Sequence, residues 1–223
     1  MVMAIIALLA AVAIPGYLSA IRQANRAKCA TNLRQIGVGM LSYAGDNNQN
    51  LPESGGVIPY GQKDGPPPFG SLNYSWSQQL DPYLGPCNTN AANPVYTCPE
   101  SSKTEGGNSQ YSYFNGAHAA YSATGGFGPV NLLKIHNLSA FIMAGDCSFG
   151  GFTTPDADKD DYTQDPAFAG GTPTAPTPIP IHNGVSNILF ADGHVEGLKY
   201  FDATVNTTVY QGPGAKYDYL YPK

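Results

Sequence analysis

The stretch that decides the fold is residues 1–37, MVMAIIALLAAVAIPGYLSAIRQANRAKCATNLRQIG. Its first 21 residues carry no charged side chain, and a basic stretch follows from Arg22. Beyond Arg22 the apolar residues recur every three or four positions, as in an amphipathic helix: Cys29, Leu33, Ile36, Met40 and Tyr43. The pattern predicts one nearly continuous helix over residues 1–44, roughly 65 Å long.

The two halves of this helix need different surroundings. Residues 1–21 are apolar on all sides and need lipid or further copies of the chain, whereas residues 22–44 bury one face against a domain. A secretory signal peptide is not expected, because no Lys or Arg precedes the apolar run. About 20 apolar residues suffice for a transmembrane anchor. Pro15 inside the run is expected to break or kink the helix.

Two stretches carry a family resemblance. AIIALLAAVAIPGY at residues 4–17, followed by an amphipathic helix, resembles the N-terminal segment of type IV pilins and type II secretion pseudopilins, with Pro15 at the place of that family's helix-breaking proline. RAKCATNLRQIGVGMLSYAGDNNQNLPES (26–54) and HNGVSNILFADGHVEGL (182–198) resemble a bacterial group of pilin-like proteins. A His, nine further residues and then Asp-Gly mark that group, and they are matched here by His182 and Asp192-Gly193.

The resemblance implies a structural subunit of a type IV pilus-like or pseudopilus filament. Such a subunit waits in the inner membrane, is processed and N-methylated by a prepilin peptidase, and is polymerised by an inner-membrane assembly platform into an extracellular or periplasmic helical filament. The residues expected to form the filament core are Ala4, Ile5, Leu8, Leu9, Ala11, Val12, Ile14 and Pro15. The aromatic first residue and the nearby glutamate of that family do not precede Ala4 in this sequence.

The composition fits a turn-rich β domain behind the helix. The 223 residues include 26 Gly, 19 Pro and 15 Tyr, and only 12% are charged. The net charge of −5 and the lack of a large basic patch give no reason to expect nucleic acid as a partner. We expect a helix over residues 1–44 and a β-rich head over residues 45–223. The predicted class is α+β, with the long helix packed against a small antiparallel sheet that carries long Gly/Pro-rich loops.

Local patterns place the elements of the head. Gly45 is expected to cap the long helix in a left-handed conformation, and a short helix is expected near 75–84 with Trp76 in the core. Strands are expected in SQYSYF (109–114), NLLKI (131–135), AFIMAG (140–145), NILFA (187–191) and HVEGLKY (194–200). Asp192-Gly193 between the last two predicts a two-residue type I′ hairpin turn. His182, Asp192 and Gly193 are therefore given structural roles.

Four cysteines are present without a Cys-x-x-Cys motif, so thiolate ligation of a metal is not expected from the spacing. Cys87 and Cys98 bracket a polar loop, and a disulfide there would contribute about 3 kcal/mol by the loop-entropy model. Four cysteines allow three pairings, of which we favour Cys87 with Cys98 and Cys29 with Cys147. Buried free thiols are the alternative, whereas a disulfide would place the head in an oxidising compartment.

Two groups of residues have alternative interpretations. The stretch DADKDDYTQD contains five carboxylates that suit either a calcium-binding loop or a solvated acidic loop: Asp156, Asp158, Asp160, Asp161 and Asp165. It departs from the EF-hand pattern. The pseudopilin resemblance strengthens the case for calcium, but the solvated acidic loop is the preferred interpretation. His182, Asp192 and His194 suit a metal or acid–base site but lack an evident further ligand. No enzymatic activity and no cofactor other than calcium are expected.

Two classes of function therefore remain open. The first is the filament subunit, as a main pilin, a pseudopilin or a minor tip subunit. The second is a monomeric membrane-anchored binding module, whose Tyr- and Gly-rich loops contact a ligand such as a glycan. Filaments of uniform width are expected only from the first.

Overall fold

A single long α-helix begins the chain in the computed structural model. The structure describes residues 2–52, 74–85, 93–100, 112–115, 120–121, 127–135, 137–139, 141–146, 182 and 184–198. Helix α1 spans Val2–Asp46, which confirms the predicted N-terminal helix. Pro15 lies inside α1 without ending it, so the helix is not broken there, and a kink at Pro15 stays a prediction. A lone proline removes one helical hydrogen bond, and the turns on either side continue the helix.

The C-terminal end of α1 is capped by residues after the expected glycine. Gly45 belongs to the helix, and the left-handed conformations are those of Asn48 (φ 56°) and Gln49 (φ 65°). The Gln49 N–H donates to the Ala44 carbonyl at 2.7 Å, and the side chain of Asn47 donates to the carbonyl of Tyr43. The capping role predicted for Gly45 is thus wrong, because asparagine tolerates the left-handed region and supplies a side-chain hydrogen bond as well.

The head is built on a small antiparallel sheet. Its four strands are β1 (Tyr113–Asn115), β4 (Ile142–Asp146), β5 (Ser186–Phe190) and β6 (Val195–Leu198), in the order β1-β4-β5-β6. Strands β2 (Ala120–Tyr121) and β3 (Phe127–Gly128) form a separate two-stranded ladder. Two short helices, α2 (Trp76–Gln79) and α3 (Asp81–Leu84), replace the single helix predicted there. Pro82 supports that division, since it stands in the first turn of α3.

One predicted strand is a helical turn instead. Leu132–Lys134 form a 3₁₀ helix, as do Pro94–Tyr96 earlier in the chain. The side chain of Asn131 accepts a hydrogen bond from the backbone N–H of Leu133 at 3.1 Å. Such local capping competes with strand formation. The strand predicted for NLLKI is therefore wrong.

The back half of α1, residues 22–46, packs against the sheet. Four residues of the predicted helical stripe are completely buried: Cys29, Leu33, Ile36 and Met40. They belong to one hydrophobic core with Trp76, Leu80, Phe141, Met143 and Leu189. The long helix on a small antiparallel sheet is the α+β pilin-like arrangement that the sequence predicts. Trp76 is buried within this core, as expected.

Candidate functional site

The front half of α1, residues 2–21, lies outside the hydrophobic core. Side chains from Val2 to Ala20 are exposed wherever the structure describes them; those of Leu8 and Val12 lie outside that description. Met3 is 80% exposed, Leu9 65% and Ile14 57%. Ala4, Ile5, Ala11 and Pro15 are exposed as well. The described part of the predicted filament core is thus a surface of the isolated chain. Among the described residues, no helix is both long and apolar enough to cross a membrane.

A second feature lies inside the head, where α1 meets the sheet. Four residues place one potential metal-ligand atom each within 4.8 Å of all the others, and all four are buried. We call them the Cys–Asp–His cluster: Cys29, Cys98, Asp146 and His182. They come from α1, from the segment after the first 3₁₀ helix, from the end of β4 and from the segment before β5. The fold alone brings them together.

Close polar contacts join the members of the cluster. The Cys29 thiol donates to Oδ1 of Asp146 at 2.7 Å. Nε2 of His182 lies 3.2 Å from Oδ2 of Asp146 and 3.4 Å from Sγ of Cys98. Each of these residues therefore contacts at least one other member. The remaining ring nitrogen of His182, Nδ1, is buried and has no hydrogen-bond partner among the described residues.

Residues around the cluster hold its members in place. The backbone N–H of Asn187 donates to Oδ2 of Asp146 at 2.6 Å, and the hydroxyl of Tyr113 donates to Sγ of Cys29 at 3.3 Å. The side chain of Asn187 also bonds α1, since it accepts from Nε of Arg26 and donates to the carbonyl of Arg26, both at 3.4 Å. Such outer contacts fix the orientation of ligand groups.

Burial and mutual contact shift the ionisation of the cluster. Burial raises the pKa of the Cys29 thiol far above its usual range, and the contacts with Cys98 and Asp146 raise it further. Burial lowers the pKa of His182, but the hydrogen bonds to Asp146 and Cys98 outweigh it and raise the pKa to about 9. The contacts with Asp146 and Cys98 thus favour the imidazolium form of His182, and burial favours the neutral thiol of Cys29.

The hairpin after His182 forms as predicted, with a different turn. Only Gly193 takes a positive φ (89°), and its N–H donates to the carbonyl of Phe190 at 2.9 Å. The Phe190 N–H donates in turn to the carbonyl of His194, so the loop contains three residues. The two-residue type I′ turn is therefore wrong, and the loop is a type I turn followed by a left-handed glycine. The glycine still has the structural role expected of it.

The proposed acid–base group of His182, Asp192 and His194 does not assemble. His182 contacts Asp146 and Cys98 inside the head, whereas Asp192 and His194 contact each other at the turn. Nδ1 of His194 lies 2.5 Å from the Asp192 carboxylate, which also accepts the backbone N–H of His194 at 3.0 Å. His182 has a second role besides the tight turn that it forms with Val185, because its ring belongs to the cluster.

The thiol of Cys29 donates to Asp146, and Cys98 lies against His182, so neither contact is a disulfide. Their predicted partners, Cys147 and Cys87, lie outside the described residues. The predicted calcium ligands also lie outside them: Asp156, Asp158, Asp160, Asp161 and Asp165.

A cavity opens beside the cluster. Its volume is about 950 Å³. Its lining residues come from α1, from the segment after the first 3₁₀ helix and from the segment before β5, and they include Arg22, Arg26, Glu100, His182 and Val185. His182 is the member of the cluster that lines it. Among the described residues, this cavity gives the buried cluster a side that faces open space.

Sequence reasoning missed the Cys–Asp–His cluster because its members show no motif spacing. The sequence places Cys29 in the apolar stripe and in a predicted disulfide with Cys147, places Cys98 in a predicted disulfide with Cys87, and gives no pattern that marks Asp146. The one available signal was His182, which opens the His/Asp-Gly motif.

Comparison with known proteins gives one partial match. Residues 19–89 match a family model named SBP_bac_10 and described as a protein of unknown function, DUF1559. This match covers the back half of α1 and the region up to α3, and it leaves the His182 segment outside. No curated protein and no solved structure matches the chain.

Proposed function

We propose that the chain is a structural subunit of a type IV pilus-like or pseudopilus filament and polymerises through the front half of α1. The observation that carries this proposal is the exposure of that half. The exposed apolar side chains there include Val2, Met3, Ile5, Ile6, Leu9, Ile14, Tyr17 and Leu18. A continuous exposed apolar surface marks a site of interaction with another protein or with a membrane.

The apolar side chains of the front half provide a driving force for association of these helices. Fully burying one Val, Leu or Ile side chain stabilises by about 1.5–3 kcal/mol. The eight exposed apolar side chains of the front half thus offer on the order of 10 kcal/mol per subunit. Association costs about 4–15 kcal/mol in lost freedom of movement. A helix that contacts several neighbours at once, as in a filament core, recovers this cost better than one that contacts a single partner.

The shape of the apolar surface suits an open assembly. The front half carries no charged residue up to Ile21, so apolar side chains are available around the whole helix. A contact between different faces of identical helices is heterologous, and it generates an open helical filament when the rotation between neighbours does not close a ring. The heads, attached through the back halves, would then cover the outside. The resemblance of residues 4–17 to pilin N-termini supports the same arrangement.

The proposal includes residence in the inner membrane before assembly and delivery to the filament by an assembly platform. Inside the filament, each front half exchanges lipid for equivalent helices. A pilin, a pseudopilin and a minor subunit share this step, and the proposal covers all three.

Electron microscopy tests the proposal directly. The full-length chain is purified in detergent, the detergent is removed, and the sample is imaged in negative stain. We expect filaments of uniform width in which every subunit contributes its N-terminal helix to the core. A monodisperse monomer after detergent removal would contradict the proposal and would favour the monomeric binding module instead.

A further inference from the structure

The Cys–Asp–His cluster has the composition and the compactness of a metal site. Its donor atoms are two sulfurs, a carboxylate oxygen and an imidazole nitrogen, within 4.8 Å of one another. We propose that the cluster binds one thiophilic divalent cation of the zinc class, in a four-coordinate structural site that fixes α1 to the head. This inference is independent of the filament proposal.

The donor set indicates the class of metal. Thiolate sulfur and imidazole nitrogen select zinc-class cations, whereas magnesium and calcium prefer sites made only of oxygen ligands. Structural zinc sites have four protein ligands in tetrahedral geometry, and carboxylate oxygen is an accepted ligand. The cluster offers four donors, one from each residue, and this number fills the tetrahedron without a position for water.

The distances agree with a tetrahedron after a small adjustment. Zinc bonds of about 2.3 Å to sulfur and about 2.0 Å to nitrogen or oxygen separate the ligand atoms by about 3.3–3.8 Å. Nε2 of His182 lies 3.2 Å from Asp146 Oδ2 and 3.4 Å from Cys98 Sγ, both close to this range. The Cys29 thiol donates at 2.7 Å to the other carboxylate oxygen, Oδ1. With Oδ2 as the ligand atom, Cys29 would lose its proton to solvent, and a bond from its sulfur to the ion would replace this hydrogen bond.

The burial of the cluster gives the physical reason for a cation. Cys29, Cys98 and Asp146 are fully buried, and His182 is 5% exposed. Buried polar groups destabilise a fold unless they are paired or coordinate a metal. Thiols are weak hydrogen-bond partners, so hydrogen bonding alone uses the two cysteines poorly. A bound cation would convert them into thiolate ligands.

The surrounding contacts are those of a metal site's outer shell. The Asn187 N–H holds the carboxylate of Asp146, and the Tyr113 hydroxyl points to the sulfur of Cys29. Both contacts would remain compatible with metal binding, because they donate hydrogen bonds to atoms that carry negative charge. The cavity lined by His182 provides a route for the ion.

The site would join four separate segments of the chain. Cys29 and Asp146 are 117 positions apart, and Cys98 and His182 are 84 apart. Metal ligation that closes long loops adds stability to the folded state and none to an unfolded chain without a preformed site. The ion would thus hold the back half of α1 onto β4 and onto the segment before β5.

The test uses the full-length chain in detergent, which covers its exposed apolar helix. Metal-free protein is titrated with Zn²⁺ and, separately, with Co²⁺. We expect one ion per chain by native mass spectrometry, and a tetrahedral cobalt spectrum with thiolate charge-transfer bands. Removal of zinc by a chelator is expected to lower Tm by roughly 5–15 °C.

Single-ligand variants assign the site to the cluster. Cys98→Ser and His182→Gln are expected to weaken Zn²⁺ binding at least about 10-fold and to lose the effect of the chelator on Tm. His194→Gln changes the exposed histidine of the hairpin. Cys87→Ser changes a cysteine that does not belong to the Cys–Asp–His cluster. Both controls are expected to keep the stoichiometry, the cobalt spectrum and the chelator effect.

Three outcomes would overturn the proposal. One is native protein whose mass shows a disulfide joining Cys29 to Cys98. Another is a wild-type chain that gives no thiolate band with cobalt and no zinc adduct. The third is zinc binding that survives unchanged in both ligand variants. The first two measurements use the wild-type chain, so they decide the matter even where a variant fails to fold.

Discussion

Gly39 of α1 and Leu84 of α3 are in such close contact that a Cβ at position 39 would lie 2.8 Å from Cγ of Leu84. The absence of a side chain at Gly39 therefore sets how closely α3 approaches the long helix. Gly45, six residues further along α1, has no neighbouring atom within 4 Å of its ideal Cβ. The two glycines differ in packing and share the same helix.

This difference predicts opposite effects of the same substitution. Gly39→Ala is expected to destabilise the head by about 1–2 kcal/mol, because overpacking outweighs the gain in helix propensity. Gly45→Ala is expected to stabilise by about 0.5 kcal/mol through reduced backbone entropy. Denaturant unfolding of the full-length variants in detergent measures both. Equal changes in the two variants would contradict the close approach of Leu84.

Gly193 predicts a second effect on stability. Its φ of 89° lies where residues with a Cβ are strained. Gly193→Val is expected to cost about 1–3 kcal/mol by opposing the hairpin turn. Gly193→Asn serves as the matched variant and is expected to cost less, because asparagine tolerates left-handed conformations. Thermal unfolding compares the two variants. A Val variant as stable as the wild type would refute the assigned turn.

The pairing of Asp192 with His194 predicts a dependence on pH. Partial burial raises the pKa of Asp192, but hydrogen bonds from the backbone and side chain of His194 outweigh it, and the net pKa is lowered. A carboxyl with a lowered pKa stabilises the fold above its unfolded pKa of about 3.9, and this stabilisation is lost as the pH falls through the folded pKa.

Asp192→Asn is therefore expected to be less stable than the wild type at neutral pH and to approach it in stability below about pH 3.9. The difference is small, because the side chain of Asp192 is 35% exposed. Tm measured across the acid range tests this. A gap that stays constant between pH 7 and pH 3 would show that the charge of Asp192 contributes nothing.

Assembly predicts different effects for two exposed leucines. Leu9 is 65% exposed on the front half of α1, and Leu133 is 80% exposed on the head. Leu9→Asp is expected to abolish filaments, because an unpaired carboxylate in an apolar helix bundle is strongly unfavourable. Leu133→Asp introduces the same charge outside the proposed core and is expected to polymerise normally. Electron microscopy reads out both, and filaments from the Leu9 variant would count against the proposed core.

Local patterns in the sequence predicted the regular elements of the fold well. The helical spacing of Leu33, Ile36 and Met40 predicted which face of α1 is buried, and all three are fully buried. The hairpin between β5 and β6 was visible because its alternating residues and its glycine lie next to one another in the chain. The predicted local conformation was wrong where a side chain caps the backbone. Asn131 does so at the second 3₁₀ helix, where a strand was predicted.

The Cys–Asp–His cluster could not be predicted from the same patterns. Its contacts cross 84 and 117 positions of the chain, and no local periodicity relates residues so far apart. Predicting the cluster requires knowing which segments of the chain meet on the sheet. The pairing predicted for Cys98 likewise considered a cysteine nearby in the sequence and not His182, which lies 84 positions away and contacts Cys98.

The contacts of α1 also determine the order in which the chain can mature during synthesis. Arg26 of α1 and Asn187 of β5 are 161 positions apart. The apolar face of α1 is therefore synthesised long before β5, which packs against it. Contacts between distant positions form late during folding, and hydrophobic surface that is exposed until they form promotes aggregation. The buried face of α1 in a nascent chain must therefore be covered by another protein or by lipid from the moment it leaves the ribosome. A chain terminated before residue 186 would never complete its head, because it would lack β5 and β6.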